Sequence, residues 1–112
     1  MKMKQGDIWY VNLNPLEGSE QAGYRPVLLI SGNLLNEHAQ VVIGIPLTTK
    51  IKNYHGNLVL TPSETNGLKQ TSEVMTLHIR SISKSRLKEY IGSISKSDIQ
   101  KVVTCLNEIM TY

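Results

Sequence analysis

The stretch Gly18-Ser19-Glu20-Gln21-Ala22-Gly23-Tyr24-Arg25-Pro26-Val27-Leu28-Leu29-Ile30 is a polar, glycine-punctuated loop that stops at an arginine and turns into an apolar run. Arg25 therefore stands at the foot of a strand, next to a hydroxyl, an acid and an amide. A guanidinium keeps its charge at physiological pH and offers a planar fork of donors that fits two phosphate oxygens at once. Fixed by a rigid strand beside Ser19, Glu20 and Gln21, Arg25 points to an anion-handling cleft. The competing reading is a surface arginine paired to Glu20. Thr48 closes a second apolar run, Val41 to Leu47. Its hydroxyl can donate to a phosphate oxygen, although threonine also occurs in strands for packing alone.

Other chemistries lack their parts. His38, His55 and His78 stand far apart without ligand spacing, and the single Cys105 makes neither an intramolecular disulfide nor a zinc cluster. There is no Gly-x-Ser-x-Gly elbow, Walker loop or dinucleotide fingerprint. No metal and no cofactor are expected. Cleavage of RNA by transesterification asks for less, because the substrate's own 2′-hydroxyl attacks the neighbouring phosphorus. The enzyme then supplies in-line positioning, a proton acceptor, a counter-charge for the phosphorane and a donor for the departing 5′ oxygen. Arg25, whose proton is hard to remove, suits the counter-charge.

The elements that must hold these groups read as short strands. Asp7 to Leu13, Arg25 to Ser31, Val41 to Leu47, Asn57 to Leu60 and Glu73 to Ile79 are β-branched or apolar runs bounded by turn residues, with Gly32 to Gln40 a polar connection. Val27 to Ile30 has the continuous apolar character of a strand buried on both faces. No helical period separates the strands, which argues for a small antiparallel barrel rather than βαβ units. A helix comes last. Ser95-x-x-Asp98 and Ser97-x-x-Gln100 are both capping-box candidates, and Ile99, Val102, Val103, Leu106, Ile109 and Met110 then recur on one face, with Cys105 expected as a small buried hydrophobe at its edge.

Composition is that of one ordinary globular domain spanning residues 1–112, with 40% apolar and 19% charged residues and a net charge of +3. Phenylalanine is absent, so the core falls to Ile, Val, Leu, Trp9 and a few tyrosines. Arg80, Lys84, Arg86 and Lys88, opposed by Glu89, form either a solvated face or a phosphate-tracking patch. The basic amino terminus has no apolar segment behind it and no run approaches a membrane span, so a cytoplasmic protein with no membrane contact is expected.

Several strings together resemble the MazF/PemK/Kid family of toxin endoribonucleases. They are Gly6-Asp7-Ile8-Trp9-Tyr10-Val11-Asn12-Leu13-Asn14-Pro15, Gly18 to Gly23 with Arg25-Pro26-Val27, Ile45-Pro46-Leu47-Thr48-Thr49, Gly67-Leu68-Lys69 with Ser72, and Ile79-Arg80-Ser81-Ile82 with Arg86-Leu87. The resemblance runs over nearly the whole chain. It implies an α+β, mainly β fold, a small SH3-like twisted antiparallel barrel with a C-terminal helix. It also implies the toxin of a type II toxin-antitoxin system, a metal-independent, sequence-specific endoribonuclease that cuts single-stranded mRNA, acts as a homodimer and is restrained by a cognate antitoxin. Arg25 and Thr48 match the family's catalytic arginine and threonine.

Glu20 is the remaining catalytic candidate; it either accepts the 2′ proton or holds Arg25. Asn14, Ser19, Gln21 and the backbone near Gly23 are candidates for binding phosphate or base edges, joined by Thr49 and Lys50 past the end of the strand. Some relatives place an Arg-x-Asp pair where this chain has Met75 and Leu77, so that version of the mechanism does not apply. Where relatives often carry glutamine there is His78, which suits reading a base edge, assisting proton transfer or a structural role equally well. The alternative function is a noncatalytic interaction module on the same fold, similar to the gyrase poison CcdB, since fold alone does not settle function.

Overall fold

Val27, Leu28 and Leu29 are all completely buried, so the strand that carries them has to be covered on both sides. The computed structural model describes residues 2–13, 23–54 and 56–112 and shows how. The strands are β1 (Asp7–Asn12), β2 (Tyr24–Leu29), β3 (Val41–Thr48), β4 (Val59–Leu60), β5 (Ser72–Val74), β6 (Arg80–Ser83) and β7 (Leu87–Ser93), with helices α1 (Asn33–His38) and α2 (Lys96–Thr111). They form one antiparallel sheet in the order β4-β5-β3-β2-β1-β7, with β6 paired to the same edge of β3 as β5 but along its first half. The sheet curls into a half-barrel closed on one side by the terminal helix, the mainly β, α+β class expected.

Alternation along each strand feeds two cores. Ile8, Leu28, Ile45, Leu47 and Val74 face one way and pack with Leu60, Leu68 and Ile94 under Val102 of α2. Trp9, Val11, Val27, Leu29 and Val42 face the other way and pack with Ile82 and Leu87. Burying each such side chain is worth about 1.5–3 kcal/mol. The tyrosines take no part. All 5 of them, Tyr10, Tyr24, Tyr54, Tyr90 and Tyr112, are exposed, which corrects the expectation that they fill in for phenylalanine.

Seven strands replace the expected five. The two missed ones lie in the basic segment, where Arg80, Lys84, Arg86 and Lys88 mask the apolar anchors Ile82 and Leu87. β7 is an edge strand with exposed Lys88, Glu89 and Tyr90, and charge on an edge discourages pairing with other chains. Its ladder with β1 shifts register twice, between Ile8 and Trp9 and between Tyr10 and Val11. Such bulges break the two-residue period that sequence reading depends on, and increase the twist.

Gly32 to Gln40 holds the short helix α1 instead of only a connection, anchored by buried Asn36, whose amide donates to the Ser31 carbonyl at 2.9 Å. The run Glu73 to Ile79 is strand only as far as Val74. It then becomes a 3-10 turn over Thr76–His78. In α2 the Ser95 hydroxyl accepts from the Asp98 amide at 3.1 Å, so of the two candidate starts Ser95 is the N-cap. Cys105 and Val102 are buried, whereas Val103 in the middle of the helix and Ile109 and Met110 in its exposed last turns are not, so the apolar face is covered only in part. Among the described residues no helix is long and apolar enough to cross a membrane.

Residues 61–67 fold back onto β7, with the Ser93 amide donating to the Thr65 carbonyl at 3.0 Å. The approach requires Gly92, since a Cβ there would stand 2.4 Å from the Asn66 carbonyl carbon and oxygen. Backbone cannot yield as a side-chain tip can. We expect Gly92→Ala to lower the free energy of unfolding in urea by about 2 kcal/mol or more; a loss under about 0.5 kcal/mol, the scale of a neutral surface change, would show that this contact is not needed.

Candidate active site

Val27 pairs with Pro46 in the β2–β3 ladder. Two residues further on, the same register sets Arg25 across from Thr48. Thr48 in turn pairs with Glu73 of β5, and Arg25 with Val11 of β1. Residues opposite one another in an antiparallel ladder project to the same side, so Arg25, Thr48 and Glu73 form one transverse row at the end of the sheet. They line a single cavity of about 230 Å³ together with Lys50, Lys52, Tyr54, Asn57, Met75, Leu77 and His78. Three cations and one acid, Glu73, line it, which favours an anion.

The Thr48 hydroxyl accepts the Lys50 amide N–H at 3.1 Å. A hydroxyl that accepts in this way keeps its own hydrogen to donate. Lys50 begins a strandless segment whose far end is fastened by Glu73. One carboxylate oxygen, Oε1, accepts the amides of Lys52 at 2.7 Å and Asn53 at 2.9 Å; Oε2 accepts the amide of Tyr54 at 3.2 Å and the Asn57 side-chain amide at 2.8 Å. Asn53 adopts φ 54°, the one non-glycine residue with positive φ among those described. Successive amides converging on one anion about a left-handed residue make a backbone nest. Burial acts to raise the Glu73 pKa, but the bonds from Asn57 and the amides of Lys52, Asn53 and Tyr54 outweigh it and hold the carboxyl below its ordinary 4.5.

The residues expected to act together are partly reunited. Arg25, Thr48, Lys50 and His78 share the cavity. Thr49, one step along the chain, points to the other side of the sheet and lines a separate cavity of about 540 Å³ with Tyr10, Pro26, Lys69, Gln70 and Tyr90. Gly23 immediately precedes β2 with φ 95°, and its carbonyl accepts the Leu13 amide at 2.8 Å, which brings the end of β1 and the start of β2 together. Glu20, Asn14, Ser19 and Gln21 lie outside the described residues. Met75 and Leu77 do face the cleft, so this chain presents apolar side chains where some relatives place a charged pair. Sequence reading missed Glu73. The available signal was its phase, because a strand that alternates Glu73, Met75 and Leu77 puts an acid on an inward face. Among the described residues no three His, Cys, Asp or Glu side chains converge.

Residues 4–110 match the family described as PemK-like, MazF-like toxins of type II toxin-antitoxin systems. The chain belongs to this family. Among its relatives the toxin is 31% identical over 105 residues to endoribonuclease MazF9 of Mycobacterium tuberculosis, covering 89% of each chain. It is 31% identical over 103 residues to endoribonuclease EndoA of Bacillus subtilis, covering 91% of this chain and 89% of that one. Among solved structures, MazF of Deinococcus radiodurans superposes with a TM-score of 0.83 at 24% identity, over 100% of this chain and 99% of that one. A mycobacterial endoribonuclease in complex with its cognate antitoxin gives 0.74 at 24%, over 96% and 92%. At these identities the superpositions speak for the fold.

A carboxyl whose folded-state pKa lies below its unfolded value stabilises the fold fully above that unfolded value, and the contribution disappears as the pH falls through the folded pKa. For Glu73 the unfolded reference is 4.5 and the folded value is lower. Melting temperature is therefore expected to drop as pH is lowered below 4.5, with part of that slope absent in Glu73→Gln. An identical acid slope in wild type and variant would rule out Glu73 as a contributor.

Proposed function

We propose that this toxin is an endoribonuclease that cleaves single-stranded mRNA in the cytoplasm at preferred sequences, with the substrate's own 2′-hydroxyl as nucleophile and no metal ion. The observation that carries this reading is the placement of Arg25 and Thr48 side by side across β2 and β3 in a cationic cleft. Family membership and the names of the relatives support it. In this scheme the Arg25 fork neutralises the phosphorane, and the Thr48 hydroxyl, already accepting from Lys50, donates to a non-bridging oxygen. Glu20 takes the 2′ proton or orients Arg25. His78, exposed at the cavity's rim, contacts a base or assists the proton transfers, while Lys50 binds backbone phosphate; Asn14, Ser19, Gln21, Gly23 and Thr49 extend the contact to flanking nucleotides.

Purified protein should cut single-stranded RNA in excess EDTA, leaving a 2′,3′-cyclic phosphate and a 5′-hydroxyl. A 2′-deoxy substitution on the 5′ side of the cut should stop it, since DNA lacks the attacking group. Arg25→Ala should lower the rate about a hundredfold to a thousandfold while shifting stability by no more than about 1 kcal/mol, the range for a partly exposed charge. Arg25→Lys should fail as well, because a point charge does not reproduce the bidentate fork. An Arg25→Ala protein that cuts normally overturns the assignment. Wild-type protein that does not cut RNA returns the noncatalytic alternative.

The cognate-antitoxin complexes among the solved neighbours support an antitoxin partner for this chain too. We also infer a homodimer, in which two small domains extend one groove along the RNA. Light scattering at micromolar concentration should give twice the mass of the 12.5 kDa chain; a monomer would refute it.

A further inference from the structure

We propose that Glu73 is a positioning residue for cleavage: by holding the amides of residues 52–54 it fixes the segment whose first amide, on Lys50, aims the Thr48 hydroxyl at the phosphate. This rests on the RNA-cleavage reading above. Glu73 is 1% exposed, and an ionised carboxylate so far from water persists only when its lone pairs are answered. Here each oxygen receives two donors. With both oxygens so engaged, Glu73 is a poor acceptor for a substrate proton, although it lines the cleft. Its chemistry is used inward, on the chain itself.

The connection to Thr48 is short and runs by two routes. Thr48 and Glu73 are ladder partners, and among the described residues Lys50 to Tyr54 is tied to the sheet through Thr48 at one end and Glu73 at the other. The segment also carries Lys50, Lys52 and Tyr54 into the cavity. Asn53 holds a left-handed conformation, one that a residue with a Cβ adopts sparingly even though asparagine tolerates it better than most, so without the anion the nest relaxes. A neutral amide cannot substitute. Glutamine would turn one acceptor oxygen into an NH₂ group facing two other donors.

The test is single-turnover cleavage of a short single-stranded RNA in EDTA by wild type, Thr48→Ala, Glu73→Gln and the double variant, with hydrogen exchange followed over residues 50–57. Glu73→Gln should lower the rate about tenfold to a hundredfold, the scale of a misplaced catalytic group, and speed exchange in this segment. In the Thr48→Ala background the same change should cost less than about threefold, because the hydroxyl it positions is already gone. Should Glu73→Gln fold poorly, Asn57→Ala, which removes one of the four donors and leaves the charge in place, should move rate and exchange in the same directions more weakly. A Glu73→Gln penalty that persists undiminished without Thr48, or unchanged rate and exchange, overturns the proposal. Wild-type protein inert towards RNA sinks the cleavage reading instead, and the exchange arm still decides whether Glu73 anchors the segment.

Discussion

Register between β2 and β3 is the constraint on which the cleft depends. Strand side chains alternate with a period of two, so slipping β2 by one residue would exchange Arg25 for Tyr24 or Pro26 on the Thr48 side. Val27 and Leu29 feed one core while Leu28 feeds the other, and a slip would have to turn both cores inside out. Apolar packing on two faces thus fixes where a guanidinium stands relative to a hydroxyl. Neither polar group has to contribute to stability to be held in place.

Glu73 solves a different problem by a different force. The segment after β3 is too polar and too rich in lysine to be packed down by apolar contact, yet its side chains border the cleft. A buried charge ringed by amide donors can hold it, because low local dielectric strengthens each bond. The arrangement is fragile in the same measure: removing one partner leaves the others desolvated and unanswered. Two scaffolds therefore meet at Thr48, an apolar one that sets its strand and an ionic one that sets the loop beyond it.

Much of this was legible in the residues. Arg25 and Thr48 stand at apolar-to-polar junctions, and such junctions are strand ends; the motif strings then identified what those ends do in relatives. The helix was legible from its period and from Ser95, although its exposed last turns show that an apolar stripe does not say how much of it will be covered. What stayed hidden was non-local. β6 and β7 were obscured by lysines and by two bulges in the β1 ladder, α1 by having a polar rather than an apolar anchor, and Thr49 by the alternation that sends it away from Thr48. Glu73 looked like an ordinary strand acid, since its partners lie about twenty positions earlier in the chain.

The transverse row also sets a timetable for biosynthesis. Its members come from β2, β3 and β5, and residues 61–67 gain their support only when Gly92 and Ser93 of β7 arrive beneath them. A nascent chain emerging from the ribosome therefore carries Arg25 and Thr48 long before it carries the surfaces that hold them together. The cleft in which the two meet Glu73 is therefore a property of a chain made at least as far as β5, and not of β2 and β3 alone.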